Sequence, residues 1–123
     1  MSRALAMAEF PSAVEAVRAA VLFQTRTREL TVADAEDGRI AFRVGVNIGD
    51  VIVEPHDIFG DGVNTAARLE SISEPGGICI SSSAYDQVRG KVGVEFADLG
   101  EQHLKNIACP VRVYAAVQDG VPL

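Results

Sequence analysis

Within His56–Glu70, HDIFGDGVNTAARLE, three residues carry groups suited to holding a nucleotide. Asn64 and Arg68 stand four residues apart, the spacing that puts two side chains on one helical face, one turn apart. They fall in the first two turns of the helix this stretch predicts, near the positive end of its dipole. An amide and a guanidinium aimed at one spot orient a ribose and neutralise charge developing on a phosphate. Asp57 lies upstream in an extended segment, where its carboxylate is an acceptor for an exocyclic amine. Together the three make half of a purine-nucleotide site.

A plainer reading fits the same residues. Asp57 and Asp61 are then ordinary loop and cap acids, Gly60 and Gly62 supply turn geometry, and Arg68 is solvated. Other ligand loops fail on chemistry. An EF-hand read from Asp57 would place Phe59 at its third position and Arg68 at its twelfth, where a bidentate glutamate is required. No G-x-G-x-x-G follows a strand, and no G-K-[ST] closes a phosphate loop.

The elements that must position these residues are legible from periodicity. Residues 11–30, PSAVEAVRAAVLFQTRTREL, predict a helix: Ser12 and Glu15 form a capping box, and Val14, Val17 and Val21 repeat on one face. MSRALAMAEF before it reads as half of a strand. TVADAEDGRI reads as an acidic, solvated loop closed by the Asp37-Gly38 turn signal. Ile40, Phe42, Val44, Val46 and Ile48 alternate as in a half-buried strand, and Asn47-Ile48-Gly49-Asp50 turns it into a second strand, Val51 to Glu54. The helix with Asn64 and Arg68 then runs to about Ser73, where Pro75 and Gly76 stop it. ICIS predicts a short buried strand, Ser81 to Ser83 cap a helix through Val88, and VGVEFADLGEQHLKNIACPVRVYAAV predicts two or three strands. The order is that of an α+β sandwich, helices packed on a mostly antiparallel sheet.

Composition bounds the partners. The chain has 123 residues, 48% hydrophobic and 23% charged, and reads as one domain over residues 1–123. A net charge of −6 argues against non-specific nucleic-acid binding, which needs a basic surface. No apolar run approaches the ~20 residues of a membrane span, and no secretion signal opens the chain, so the cytoplasm is the expected compartment. Cys79 and Cys109 lie in apolar surroundings without CxxC spacing, and both read as buried free thiols. His56 and His103 lack a metal-ligand set around them. The Ser81–Ser83 run lacks a nucleophile elbow and reads as capping. Tyr85 and Tyr114 read as core or rim aromatics; Arg43 and Asn47, on the strand before the hairpin, fit a dimer-facing polar role and a plain edge or solvent face equally well.

RVGVNIGDVIVEPHDIFGDGVNTAARLESISEPGGICIS resembles the centre of the class III adenylate/guanylate cyclase catalytic domain, and FADLGEQHLKNIACPVRVYAA resembles its end in bacterial form. The likeness spans about Phe10 to Ala116, and D-I-x-G-x-x-V-N-x-A-x-R-L is its most specific pattern. It implies a ferredoxin-like cyclase sandwich that turns ATP into cyclic AMP and pyrophosphate, using Mg²⁺ or Mn²⁺ and a dimer. By resemblance, Asp57 matches the position that selects the purine, an acid there favouring ATP over GTP. Asn64 matches the residue that orients the ribose, and Arg68 the one that stabilises the pentavalent transition state. Lys105, in HLKNI, matches the lysine that holds the terminal phosphates; a surface lysine at a strand end is its plain alternative.

The departure from the family pattern shapes the expectation. The two metal-binding aspartates of such cyclases lie in an F-x-D-I-x-x-F-like segment and a later G-D hairpin, and neither segment occurs in this sequence. Asp50 reads as a hairpin residue and Asp61 as a helix N-terminal acid, so no metal ligand is assigned on this chain. The resemblance thus implies a C-terminal portion of the domain, truncated at its N-terminus and inactive alone. Family sites are shared across a head-to-tail dimer, and this chain carries the half that supplies base, ribose and transition-state contacts. The alternative is a non-catalytic dimerisation or nucleotide-sensing module. An unpaired sheet edge left by truncation would favour a homodimer or larger oligomer.

Overall fold

A computed structural model of the chain describes residues 10–32, 42–48, 52–54, 57–59, 61–118 and 121–122. Helix α1 spans Ala13–Val32, and Ser12 begins it by accepting a 3.2 Å hydrogen bond from the Glu15 backbone N–H. Three short strands follow, β1 (Val44–Val46), β2 (Ile52–Glu54) and β3 (Asp57–Phe59), then helix α2 (Asp61–Ile72). Strand β4 (Ile78–Ser81) leads directly into α3 (Ser82–Val88), whose N-cap is Ser81. Strands β5 (Glu95–Gln102), β6 (Val111–Gln118) and β7 (Val121–Pro122) complete the described chain.

The fold is α+β. The main sheet runs β1-β4-β6-β5, with β7 also paired to β6; only β1 with β4 is parallel. Strand alternation divides the core between two faces. Val46, Ile78, Ile80 and Ala116 point to the face covered by α1 and α3, where they pack with Val17, Ala20, Ala84 and Val88. Cys79 and Val113 point the opposite way and form a second cluster with Leu69 of α2 and Leu104. The sheet is therefore covered on both sides, and α2 stands apart from the other helices.

Two expectations are corrected. Among the described residues no pairing joins the predicted Ile40–Ile48 strand to Val51–Glu54. Instead β1 runs parallel to β4, with Val44 opposite Ile78 and Val46 opposite Ile80, while β2 pairs antiparallel with β3, Glu54 opposite Asp57. The first pairing joins four aliphatic residues beneath α1, and α2 provides the crossover that parallel strands require. In the second, β2 and β3 are separated by two residues only, a hairpin spacing. The other correction concerns Cys109, which is exposed, whereas Cys79 is buried. Cys109 lies in the connection between β5 and β6, outside the sheet, with Ala108 and Pro110 also exposed. The acidic loop predicted over residues 31–40 starts two residues late, since Thr31 and Val32 still belong to α1; its residues 33–40, residues 1–9 of the predicted half-strand, Asp50 and His56 lie outside the described residues.

Candidate active site

Helix α2 begins at Asp61, so Asn64 and Arg68 fall in its first two turns. Asn64 is exposed and Arg68 half-buried. Among the described residues Arg68 has no ion-pair partner, in contrast to Arg112, whose guanidinium is held by Asp98. The helix packs against β1, β4 and β3. Asp57 opens β3, so the strand bearing the carboxylate and the helix bearing the amide and guanidinium adjoin.

The small residues between Asn64 and Arg68 have a structural reason. Helix α2 rests on β1 at Gly45, so closely that a Cβ there would lie 2.3 Å from the Ala66 carbonyl oxygen and 2.4 Å from the Glu70 N–H nitrogen. No side chain larger than hydrogen fits under this turn of the helix. The neighbouring Leu69 is fully buried in the second core cluster and faces the sheet beside the same contact, its Cβ 2.9 Å from where a Gly45 Cβ would lie.

Lys105 is exposed in the connection between β5 and β6. Its position is set by a tight turn, in which the Ile107 N–H donates to the Leu104 carbonyl at 3.1 Å and Asn106 takes φ 65°. This is the pattern of a type II turn, with Lys105 at its second position and the left-handed residue at its third. Leu104 anchors the turn by packing with Leu69. Arg68 and Lys105 are thus the chain neighbours of two leucines in one small core.

Asn47 and Ser81 form a polar node at the end of β1. Ser81 Oγ donates to Asn47 Oδ1 at 2.6 Å, and Ser83 Oγ to the same oxygen at 3.4 Å. Ser81 Oγ also accepts the α3 capping bond from Ala84 N–H at 3.4 Å. Of the serine run, Ser81 is the cap of α3, while Ser83 joins it at Asn47. His103 is exposed, and Tyr85 stacks on Tyr114 with ring centroids 3.8 Å apart.

Among the described residues no three His, Cys, Asp or Glu side chains converge as a metal seat. The donor set described therefore does not fit a divalent cation. Among the same residues no helix is long and apolar enough to cross a membrane.

Sequence reading identified the polar residues of α2 and Lys105 but not Gly45, against which α2 rests, nor Leu104 and Asn106, which shape the Lys105 turn. The signals were faint: a glycine inside a strand, which marks close backbone approach, and an asparagine beside a lysine between two strands.

The comparisons with known proteins agree with this architecture. A Rhizobium meliloti (strain 1021) protein named as an adenylate cyclase is 44% identical over 108 residues, 88% of this chain and 18% of the relative. A crystal structure of an adenylate/guanylate cyclase/hydrolase from Silicibacter pomeroyi matches 89% of this chain and 65% of its own, with TM-score 0.81 and 44% identity. The adenylyl cyclase CyaB from P. aeruginosa matches 87% of this chain and 59% of its own, with TM-score 0.70 and 28% identity. This chain thus spans about two thirds or less of each of these three proteins. The model of the adenylate and guanylate cyclase catalytic domain matches residues 4–116, and the chain belongs to that family.

Proposed function

We propose that the chain supplies the base-, ribose- and transition-state-contacting half of an adenylate cyclase site, completed by a second subunit in a dimer. One observation carries the reading: Asn64 and Arg68 project from one face of α2, beside the strand that Asp57 opens. Asp57 accepts a hydrogen bond from the adenine amino group, which favours ATP over GTP. Asn64 holds the ribose so that its 3′-oxygen faces the α-phosphorus. As the 3′-oxygen–phosphorus bond forms and the bond to pyrophosphate breaks, negative charge grows on the α-phosphate oxygens, and Arg68 neutralises it. Lys105 holds the departing pyrophosphate. The proton of the 3′-hydroxyl leaves to a group outside the described residues. Mg²⁺ or Mn²⁺, where bound, polarises nucleophile and leaving group; the described residues offer no seat for it, and no step on this chain is derived through it.

Complementation tests the reading. The chain is mixed with a cyclase subunit that supplies metal-binding carboxylates but lacks its own transition-state arginine, with Mn²⁺ and either ATP or GTP. Cyclic AMP formed from ATP, in excess over cyclic GMP from GTP, and lost in Arg68→Ala, is the expected result. Nucleotide binding without turnover in any mixture would instead establish the sensing module.

A further inference from the structure

We propose that Gly45 is a positioning residue for the reaction, its missing side chain setting the depth at which α2 rests on the sheet and therefore the reach of Asn64 and Arg68. The inference rests on the proposed role of α2 and extends it to a residue that touches no nucleotide.

The contact admits little compromise. A Cβ on Gly45 would meet the Ala66 carbonyl oxygen at 2.3 Å, the Glu70 nitrogen at 2.4 Å and the Leu69 Cβ at 2.9 Å, where ordinary contact begins at 3.4 Å. Two of these atoms are helix backbone, and the third is fixed to it. No rotamer change relieves them; either the helix or the strand must move.

The strand is the less movable partner. Val44 and Val46, flanking Gly45, pair with Ile78 and Ile80 across the parallel ladder and pack into the cluster beneath α1. Gly45 itself pairs with Cys79, buried on the α2 side. A methyl group at position 45 thus lifts α2 by about 1 Å, the difference between 2.4 and 3.4 Å. Arg68 sits between Ala66 and Glu70, the two residues pushed, so it moves with them. A misplacement of about 1 Å costs about 100-fold when a group must meet a transition state, whereas ground-state binding tolerates it better.

The test uses the complementation mixture with Mn²⁺ and ATP, with thermal unfolding followed on each variant to correct for the folded fraction. Gly45→Ala should bind ATP within about threefold of the parent while turnover falls about 10- to 100-fold. Val88→Ala, in the core under the opposite face of the sheet, should lower the melting temperature and leave turnover per folded molecule unchanged. If Gly45 acts through Arg68, the double variant Gly45→Ala/Arg68→Ala should be no slower than Arg68→Ala alone. Should Gly45→Ala fail to fold, Cys79→Val crowds α2 more mildly from the paired position and should show the same split between binding and turnover.

Parental turnover per folded molecule in Gly45→Ala, or in Cys79→Val if it replaces it, would overturn the proposal. So would a double variant slowed by the product of the single effects, or an equal loss in Val88→Ala. An Arg68→Ala chain with parental turnover, or a mixture with none, brings down the reading of α2 itself and the proposal with it.

Discussion

The side-chain amide of Gln24 on α1 donates a 2.9 Å hydrogen bond to the carbonyl of Gly77 and a second, also 2.9 Å, to the carbonyl of Phe42. Gly77 O also accepts from Val44 N–H at 3.2 Å, and Phe42 O from Gly76 N–H at 2.7 Å. One buried amide, 1% exposed, therefore fastens α1 to the residues leading into both strands of the parallel pair. Gln24→Leu retains the bulk and loses both donors, and should cost about 1–3 kcal/mol, read as a lowered denaturant midpoint. Gln24→Glu sets a carboxyl against two carbonyl oxygens, which holds its folded-state proton affinity above the unfolded value. Its stability is then present below the ordinary carboxylate range and lost as pH rises, so this variant should unfold more readily at pH 7 than at pH 4.

Arg68 should be irreplaceable by lysine. A planar fork of donors addresses two phosphoryl oxygens together, while an ammonium is a point charge on a flexible stem. Arg68→Ala is expected to reduce turnover about 100- to 1000-fold with ATP binding little changed, and Arg68→Lys should recover only a small part. Single-turnover and equilibrium-binding measurements separate the two quantities.

The turn that carries Lys105 depends on the left-handed conformation of Asn106, φ 65°. Asn106→Gly should fold as well as the parent, while Asn106→Val should lose about 1–2 kcal/mol. In the proposed site the same valine variant should raise the KM for ATP more than it lowers kcat, since it displaces a group that grips terminal phosphates. Steady-state kinetics of the two variants side by side provide the check.

The Arg112 guanidinium holds the Asp98 carboxyl below its ordinary range, helped by the Gly100 N–H, which donates to Asp98 Oδ1 at 2.8 Å. These bonds clip the register shift in β5 between Asp98 and Glu101, where Gly100 takes φ 76°. Because the folded-state value is depressed, the stabilisation is present above the unfolded carboxylate value and disappears as pH falls through the folded one. Asp98→Asn should flatten the acid limb of a stability–pH profile while changing the neutral plateau little, both groups being solvent-exposed.

The two thiols should differ sharply in reactivity. Burial pushes the Cys79 thiol up, Glu74 adding to the shift and a hydrogen bond with Ser73 opposing it, whereas Cys109 is exposed. A thiol reagent should label Cys109 within the mixing period and Cys79 only as fast as the β1–β4–α2 region opens, which mass spectrometry of timed samples resolves.

What was legible in the sequence was local. The Ser12 cap, the start of α2 at Asp61, the buried ICIS strand and the Ser81 cap each depend on residues a few positions apart, and all four form. What was not legible was pairing at a distance. Val44–Val46 alternates as a hairpin strand would, yet its partner is Ile78–Ile80, and only the shared core beneath α1 decides between them. Gln24 keeps the phase of Val17 and Val21 on α1, so the helix buries it with them; a polar residue on an apolar face was the one available hint. Apolar neighbours in NIACPVRV suggested burial for Cys109, but the chain there has left the sheet, and neighbours in sequence are not neighbours in space. For the candidate site, residue types and spacing carried the chemistry, and the glycine beneath α2 became visible only once strand and helix were in contact.

The stacked pair Tyr85–Tyr114, with rings inclined by 7°, joins α3 to β6. The chain has two tyrosines and no tryptophan, so this single contact holds all of its phenol chromophores. Near-ultraviolet absorption and emission from this molecule report almost wholly on whether α3 is seated against the sheet. An unlabelled sample therefore carries its own optical gauge of one interface, on the face of the sheet opposite α2, silent to events at Arg68 unless they travel through the sheet.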